Sequence, residues 1–336
     1  MPVNSDKFFM WKYLFLICSI ISIIAGIFVT PDLLISLGPM RQTLTSSVDS
    51  IRSLAHLELS IYRGSCLIIS IAFLMLSLKG KEIWNATWLS PIHKHNLRET
   101  DRHLGIMTGW NFSLTTIFCC YIGVIIYMTV ISRFLSDPLL KIINNEDGII
   151  EYLSAAIFLI CSISSCILSF KLSGQTSRIF MLRLFAVVFF LMFGEEISWG
   201  QRIFEVKTLE VMKKINVQGE NNIHNLLGYV SDHLFIAGFF VYGVIFPVLA
   251  NRILFLRKFF DFIGLPIASL GLAVGCFMIS STHDWTFYLV FEKVKYLQMA
   301  EMRELLSSVA FLLLICESWL LIEKRSPRRG RDQTYK

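Results

Sequence analysis

Two adjacent carboxylates, Glu195 and Glu196, close the apolar run from Leu184 to Phe193. A charged side chain at the centre of a bilayer costs about 2.5 to 3.5 kcal/mol on insertion scales, and less towards the interface. Carboxylates in that setting need compensation. A helix continued through Arg202 would put Glu195, Ser198 and Arg202 on one face at i, i+3 and i+7, with Glu196 about 100° away beside Trp199 and Gly200. One glutamate could then pair with Arg202 while the other met a different partner. That arrangement suits a structural ion pair beneath the headgroups. It equally suits a metal ligand, a general base or a proton carrier at an interfacial cavity.

Three further polar segments carry residues of the same chemical kinds. The stretch from Asn216 to Asn225 holds seven hydrogen-bonding side chains in ten residues, among them Gln218, Glu220, Asn222, His224 and Asn225. It follows a short amphipathic stretch from Thr208 to Ile215 that reads as a helix lying on the membrane, with Thr208 as its N-cap. His224 is the natural metal ligand or general acid/base of that loop, because imidazole changes charge near neutral pH and binds transition metals through its neutral nitrogen. His283 and Asp284 emerge from the apolar run Gly271 to Ile279. Together with Glu196 and His224 they form a ligand set suited to zinc or a related divalent ion, although no local His-Glu-x-x-His spacing is present. Glu146, Asp147 and Glu151 begin another run, where the helix dipole favours acidic side chains. Glu151 differs from its neighbours in lying one turn inside an almost wholly apolar stretch.

These segments must be positioned by helices in a bilayer. Hydrophobic residues make up 54% of the 336 and charged ones 17%, which takes the chain out of the soluble globular class. Apolar runs near 13–30, 64–78, 110–132, 148–170, 179–199, 233–250, 262–281 and 304–322 are each long enough, or nearly so, to cross about 30 Å of hydrocarbon as an α-helix. The expectation is an all-α polytopic bundle of about eight spans in one domain, 1–323, with a basic tail at 324–336. The first run is followed by Thr30, Pro31 and Asp32 rather than a small-x-small cleavage site, and reads as a retained helix. Most of the 31 lysines and arginines fall on the side of the two termini, which predicts both termini cytoplasmic and the four polar segments at the outer face. The net charge of +6 is thus a topology signal and points to no nucleic-acid partner. All eight cysteines lie inside apolar runs, where free thiols behave as small apolar groups rather than a disulfide framework.

At Gly194 to Arg202 and Asn216 to Asn225 the chain resembles a family of bacterial polytopic membrane proteins that share a GEE-x-SWGQR block followed by N-x-QGE-x-N-x-HN. Both blocks are intact here, and the resemblance implies a multi-pass protein of the cell inner membrane with a common polar site. A fainter similarity is to membrane hydrolases that include the alkaline ceramidases, which have about seven helices and a site of histidines and acids. This chain departs from them in lacking a C-terminal pair of closely spaced histidines.

The functional expectation is a membrane-embedded hydrolase or transferase acting on a lipid or lipid-linked substrate at the periplasmic or exterior face. Glu195, Glu196, His224 and His283 would be its catalytic groups, with Glu196, His224, His283 and Asp284 as ligands if a metal such as zinc is bound. Trp199, Gln201, Arg202, Gln218, Glu220, Asn222, Asn225 and Glu151 would contact substrate. A proton- or cation-coupled transporter is the alternative, against which the middles of most spans count, since they read as apolar with only serines and cysteines as polar relief. A non-catalytic membrane assembly factor is the third reading.

Overall fold

The computed structural model describes residues 5–37, 44–45, 49–85, 110–145, 148–201, 204, 208, 229–282 and 294–325. No strand occurs among them; the regular structure is helical throughout. The chain forms two compact units, Met1–Pro91 and Ile92–Lys336.

The first unit is built on α1 (Ser5–Phe28), a short α2 (Pro31–Leu37) and α3 (Asp49–Asn85). α1 and α3 run antiparallel and are joined by hydrogen bonds at three levels. Ser77 Oγ donates to Lys12 O at 3.0 Å, Ser19 Oγ to Ser70 O at 3.0 Å, and Arg63 Nε to Gly26 O at 2.9 Å. Small hydroxyls at such crossings let backbones approach where lipid offers no hydrophobic drive between helices. α3 is far longer than the run at 64–78 foretold, because Arg52, His56 and Arg63 ride on its polar, exposed side and do not break it.

The second unit holds α4 (Trp110–Thr129), a 3-10 turn (Ile131–Phe134), α5 (Asp137–Asn144), α6 (Ile149–Lys171), α7 (Thr176–Glu196), α8 (Tyr229–Phe240), a π-turn (Val241–Ile245), α9 (Phe246–Arg252), α10 (Leu254–Ile263), α11 (Leu270–Ser281) and α12 (Met299–Arg325). α12 is the hub, packed on α6, α11 and α4, while α7 lies along α6 and α8 leans on α11. The α6 face that meets α7 and α12 carries Ser154, Ala155, Ser162 and Ser165, all buried; Ser162 Oγ donates to Ala186 O of α7 at 2.7 Å. An aromatic knot fills the centre, with Phe311 of α12 set edge-on to Phe189 and Phe239 at centroid distances of 5.3 and 5.5 Å. The π-turn precedes Pro247, whose ring cannot accept an ordinary helical neighbour, and it presents Tyr242 so that its hydroxyl donates to Pro266 O at 2.6 Å.

Among the described residues, six helical segments are long and apolar enough to cross a membrane: Ala55–Met75, Phe112–Phe134, Asp137–Lys171, Thr176–Glu196, Leu234–Arg252 and Met299–Ile322. Two of the eight expected spans correspond to shorter apolar helices, Phe15–Phe28 and Leu270–Ser281. The outer surfaces of these helices expose Phe112, Phe118, Ile163, Phe180 and Phe277, an apolar exterior fitted to lipid rather than water. The cysteines are free thiols, with Cys66, Cys161 and Cys276 buried as small apolar residues.

Among the described residues, a carboxylate too lies in the interior that the sequence suggested to be apolar. Glu317 lies within α12, 4% exposed. Its Oε1 accepts from Ser113 Oγ of α4 at 2.6 Å and from Ser269 Oγ at 2.7 Å, and its Oε2 accepts from Ser269 N at 2.9 Å. Ser269 is the N-cap of α11 and its side chain accepts from Leu272 N at 3.2 Å. The carboxylate therefore ties three helices together through donors that have no water to turn to. Glu317→Ala should lower stability by about 2 to 3 kcal/mol, since it orphans the Ser269 N–H, whereas Ser113→Ala should cost about 1 kcal/mol. Thermal unfolding of the purified chain followed by circular dichroism checks both; an unchanged midpoint for Glu317→Ala would contradict the structural role.

Candidate functional site

α7 does not run on past Glu196, the condition on which Glu195, Ser198 and Arg202 would share one face. It stops at Glu196, and Ser198, Trp199 and Gly200 then take left-handed φ values of 46°, 54° and 73°. Such φ values are uncommon for side-chain-bearing residues and uncomfortable for bulky ones, and they persist where the surroundings hold them. Here Gly200 N–H donates to Ile197 O at 2.8 Å and Gln201 N–H to Ser198 O at 3.0 Å, so the hook is hydrogen-bonded. It swings Trp199 back over the last turn of α7. The indole covers Gly194, where a Cβ would come within 2.8 to 2.9 Å of the ring, and meets Phe190 in a T-shaped contact at 6.5 Å. Trp199 Nε1 donates to Glu195 Oε1 at 2.7 Å. Trp199 thus partners Glu195, not the Glu196 face on which an unbroken helix would have put it. Arg202 lies outside the described residues.

Glu196 turns the other way, into the bundle. Ser154 Oγ of α6 donates to its Oε2 at 2.8 Å, sharing its hydrogen with Glu151 O, also at 2.8 Å. The carboxylates of Glu151, in the first turn of α6, and Glu301, in the first turn of α12, lie close enough for their charges to act on Glu196. Like charges gathered at a half-buried position demand nearby donors or cations. Ser154 supplies a donor, and the buried guanidinium of Arg303 sits two residues beyond Glu301 on α12. Arg303 Nη1 also reaches Thr282 O at the end of α11 at 3.4 Å, and Thr282 Oγ1 is 2.5 Å from Tyr121 OH of α4.

The floor beneath these groups is apolar. Met128, Ile150, Leu297, Met299 and Met302 pack together under the starts of α6 and α12. The turn into α6 is closed by Asn144, which accepts from Tyr127 OH at 3.0 Å and donates through Nδ2 to Leu140 O at 2.8 Å. The start of α6, the end of α7, the end of α11 and the start of α12 therefore meet at one end of the second unit.

Of the residues singled out from sequence, Glu151 and Glu196 are brought together, Glu195 and Trp199 bond each other, and Gln201 donates through Nε2 to Thr208 Oγ1 at 2.7 Å. Thr208 is the last described residue before the asparagine-rich loop. His224, Gln218, Glu220, Asn222 and Asn225 of that loop, His283, Asp284, and the Glu146-Asp147 pair lie outside the described residues. Among the described residues no three His, Cys, Asp or Glu side chains are grouped closely enough to hold a metal ion. Ser154, Glu301, Arg303 and Tyr121 were missed from sequence. A signal existed for the α12 pair, because the apolar spacing 299, 302, 306, 310, 313 runs unbroken through the charges and places the helix start upstream of 304.

The packing of Trp199 on Gly194 sets a test by double-mutant cycle. Gly194→Ala should cost about 1 to 3 kcal/mol in the native chain, by overpacking against the indole. In a Trp199→Ala background the same change should cost nothing or stabilise slightly, alanine being the better helix former. Equal costs in both backgrounds, read from thermal unfolding, would refute the contact.

Compared with protein-family models, curated proteins and solved structures, the chain matches none, so the site is read from its own geometry.

Proposed function

We propose that the chain is a membrane-embedded enzyme, a hydrolase or transferase, that acts on a lipid or lipid-linked substrate with Glu196 as general base. The observation that carries this reading is the carboxylate held by Ser154 beside Glu151 and Glu301 at the end of a bundle whose outer surface is apolar. A positioned carboxylate at an interface can take a proton from water or a hydroxyl and contribute on the order of 10²–10⁴ in rate. Exposed Trp199 and Phe204 flank the same helix end, as aromatic side chains do at headgroup depth, and give an acyl chain a surface to lie on. His224 and His283 are the acid/base partners in this reading. They follow in sequence on Thr208, bonded to Gln201, and on Thr282, bonded within the site's own network. The two sequence blocks around Glu196 and His224 support membership in a bacterial inner-membrane family with this polar site.

The excess of lysine and arginine on the side of the termini supports cytoplasmic ends and a site facing the periplasm or exterior. Enzyme is preferred over transporter because Glu317, the carboxylate deep within α12, is saturated by three hydrogen bonds that fix helices rather than carry ions.

The purified chain in lipid nanodiscs should convert a component of its host's lipid extract, followed by mass spectrometry of the lipids. Glu196→Gln and His224→Ala should each lower that turnover by about 100-fold or more while membrane abundance stays unchanged. Wild-type turnover in both variants would sink the assignment. A cation flux in proteoliposomes abolished by Glu195→Gln, without lipid turnover, would favour the transporter. Full function of Glu196→Asp in complementation, again without turnover, would favour an assembly factor.

A further inference from the structure

The chain does not pass directly from α4 into α6. After the 3-10 turn Ile131–Phe134 it makes α5, with Ser136 as an extended N-cap, Asp137 and Pro138 in the first turn and Lys141 in the last. These are helix start and stop signals, since the first turn has no use for the N–H that proline lacks and the two charges match the helix dipole. The ends of α5 are tied to different elements. Lys295 Nζ, shortly before α12, donates to Asp137 Oδ2 at 3.1 Å, while Tyr127 OH of α4 donates to Asn144 Oδ1 at 3.0 Å. Asn145 and Gly148 are extended, so α5 is not the first part of α6 but a separate piece set against the end of α4 and the starts of α6 and α12. The apolar segment Asp137–Lys171 has 35 residues, well beyond the roughly 20 that a crossing needs. α6 supplies 23 of them, enough to cross alone, which leaves α5 outside the crossing.

The sides of α5 differ in chemistry. Leu140 and Asn144, one turn apart, are buried, and Ile143 packs against Met128, Ile150 and Met302 in the floor beneath Glu196. Asp137 and Lys141, also one turn apart, are exposed. Lys141 Nζ and Lys295 Nζ both approach the ring of Tyr296, at 5.6 and 4.6 Å from its centre. Lysine beside tyrosine suits headgroup depth, where long basic side chains reach up to water. On the outer side Leu139 and Ile142 are 41% and 59% exposed, and Phe134 just before them is 84% exposed. Ile131 and Ile149, which flank α5 in the chain, are exposed as well, so α5 joins the outward apolar faces of two spans. A helix with one apolar and one charged edge, set between spans, lies in the boundary between headgroups and acyl chains with its apolar side about 5–10 Å into the leaflet.

We propose that α5 is an in-plane membrane helix, with Phe134, Leu139 and Ile142 among the acyl chains of the leaflet at the Glu196 end and Asp137 and Lys141 at the level of its headgroups. Because Ile143 packs into the floor under Glu196, the depth at which α5 lies fixes the depth of that carboxylate in the leaflet. The inference rests on the placement of α5 and holds whether or not Glu196 is catalytic.

Benzoylphenylalanine incorporated singly at Ile142, Leu139 or Lys141 of the full chain in phosphatidylcholine nanodiscs tests the proposal, because the excited ketone inserts into the C–H bonds that it touches. Irradiation of the chain carrying the probe at Ile142 should give phosphatidylcholine adducts joined through the acyl chain, read by tandem mass spectrometry. Moving the probe to Lys141 should lose them. Leu139 is a second position on the same edge and decides the matter if the probe at Ile142 prevents folding. Folded chains that give no acyl adduct at either position, or as much at Lys141 as at Ile142, overturn the in-plane helix. A cross-linked dimer or an intramolecular link from Ile142 in place of lipid shows that protein covers this edge and overturns lipid as its partner.

Discussion

A polar group surrounded by hydrocarbon has to find its partners inside the protein, and in this chain Glu317 is where that demand organises the bundle. The carboxylate accepts from α4 and from both the backbone and side chain of the residue that starts α11. It thereby fixes where α11 begins along α12. Because both helices are rigid, the same contact determines what lies at their far ends, where the close of α11 meets the opening turn of α12 through Arg303 and Thr282. The position of Glu301 beside Glu196 depends on that register. A structural carboxylate at one level of α12 thus helps set the spacing of the carboxylates at another.

The helical architecture was legible because hydrocarbon imposes a length on apolar runs, and each of the eight runs read from sequence overlaps helical structure, six of them in segments long enough to span. What the runs concealed was extent and direction. α3 continues well beyond its apolar window because its charged residues lie on an exposed side, so hydropathy alone truncated it. α10 was hidden within a stretch taken as loop and span start. Its alternation of exposed phenylalanines with buried Arg257 and Phe260 is the signature of a helix lying at the boundary, which averaging over a long window removes. Glu317 was visible as an acid in an apolar run, but its partners Ser113 and Ser269 are distant in sequence and have no local pattern that announces them.

The site divides in the same way. Glu151 and Glu196 were both picked out as anomalous carboxylates, since charge in an apolar context can be seen without a structure. That Ser154 would serve Glu196 could not, because the bond crosses between two helices whose rotation the sequence does not specify. The Gly-Glu-Glu-Ile-Ser-Trp-Gly block was conspicuous for its acids, yet much of it is conformational. Gly194 makes room for the indole, Gly200 accepts a left-handed φ, and Trp199 locks Glu195 in a direction different from that of Glu196. A helical wheel carried past Glu196 failed because it assumed regular geometry at the point where the chain abandons it.

The two ends of the second unit carry opposite chemistry. Three glutamates approach one another where α6 begins and α7 ends, while Arg178, Arg257 and Lys171 collect where α6 ends and α7 begins. Cationic side chains translocate poorly and anionic lipid draws them to the cytoplasmic leaflet, so such a dipolar bundle has a preferred way to sit.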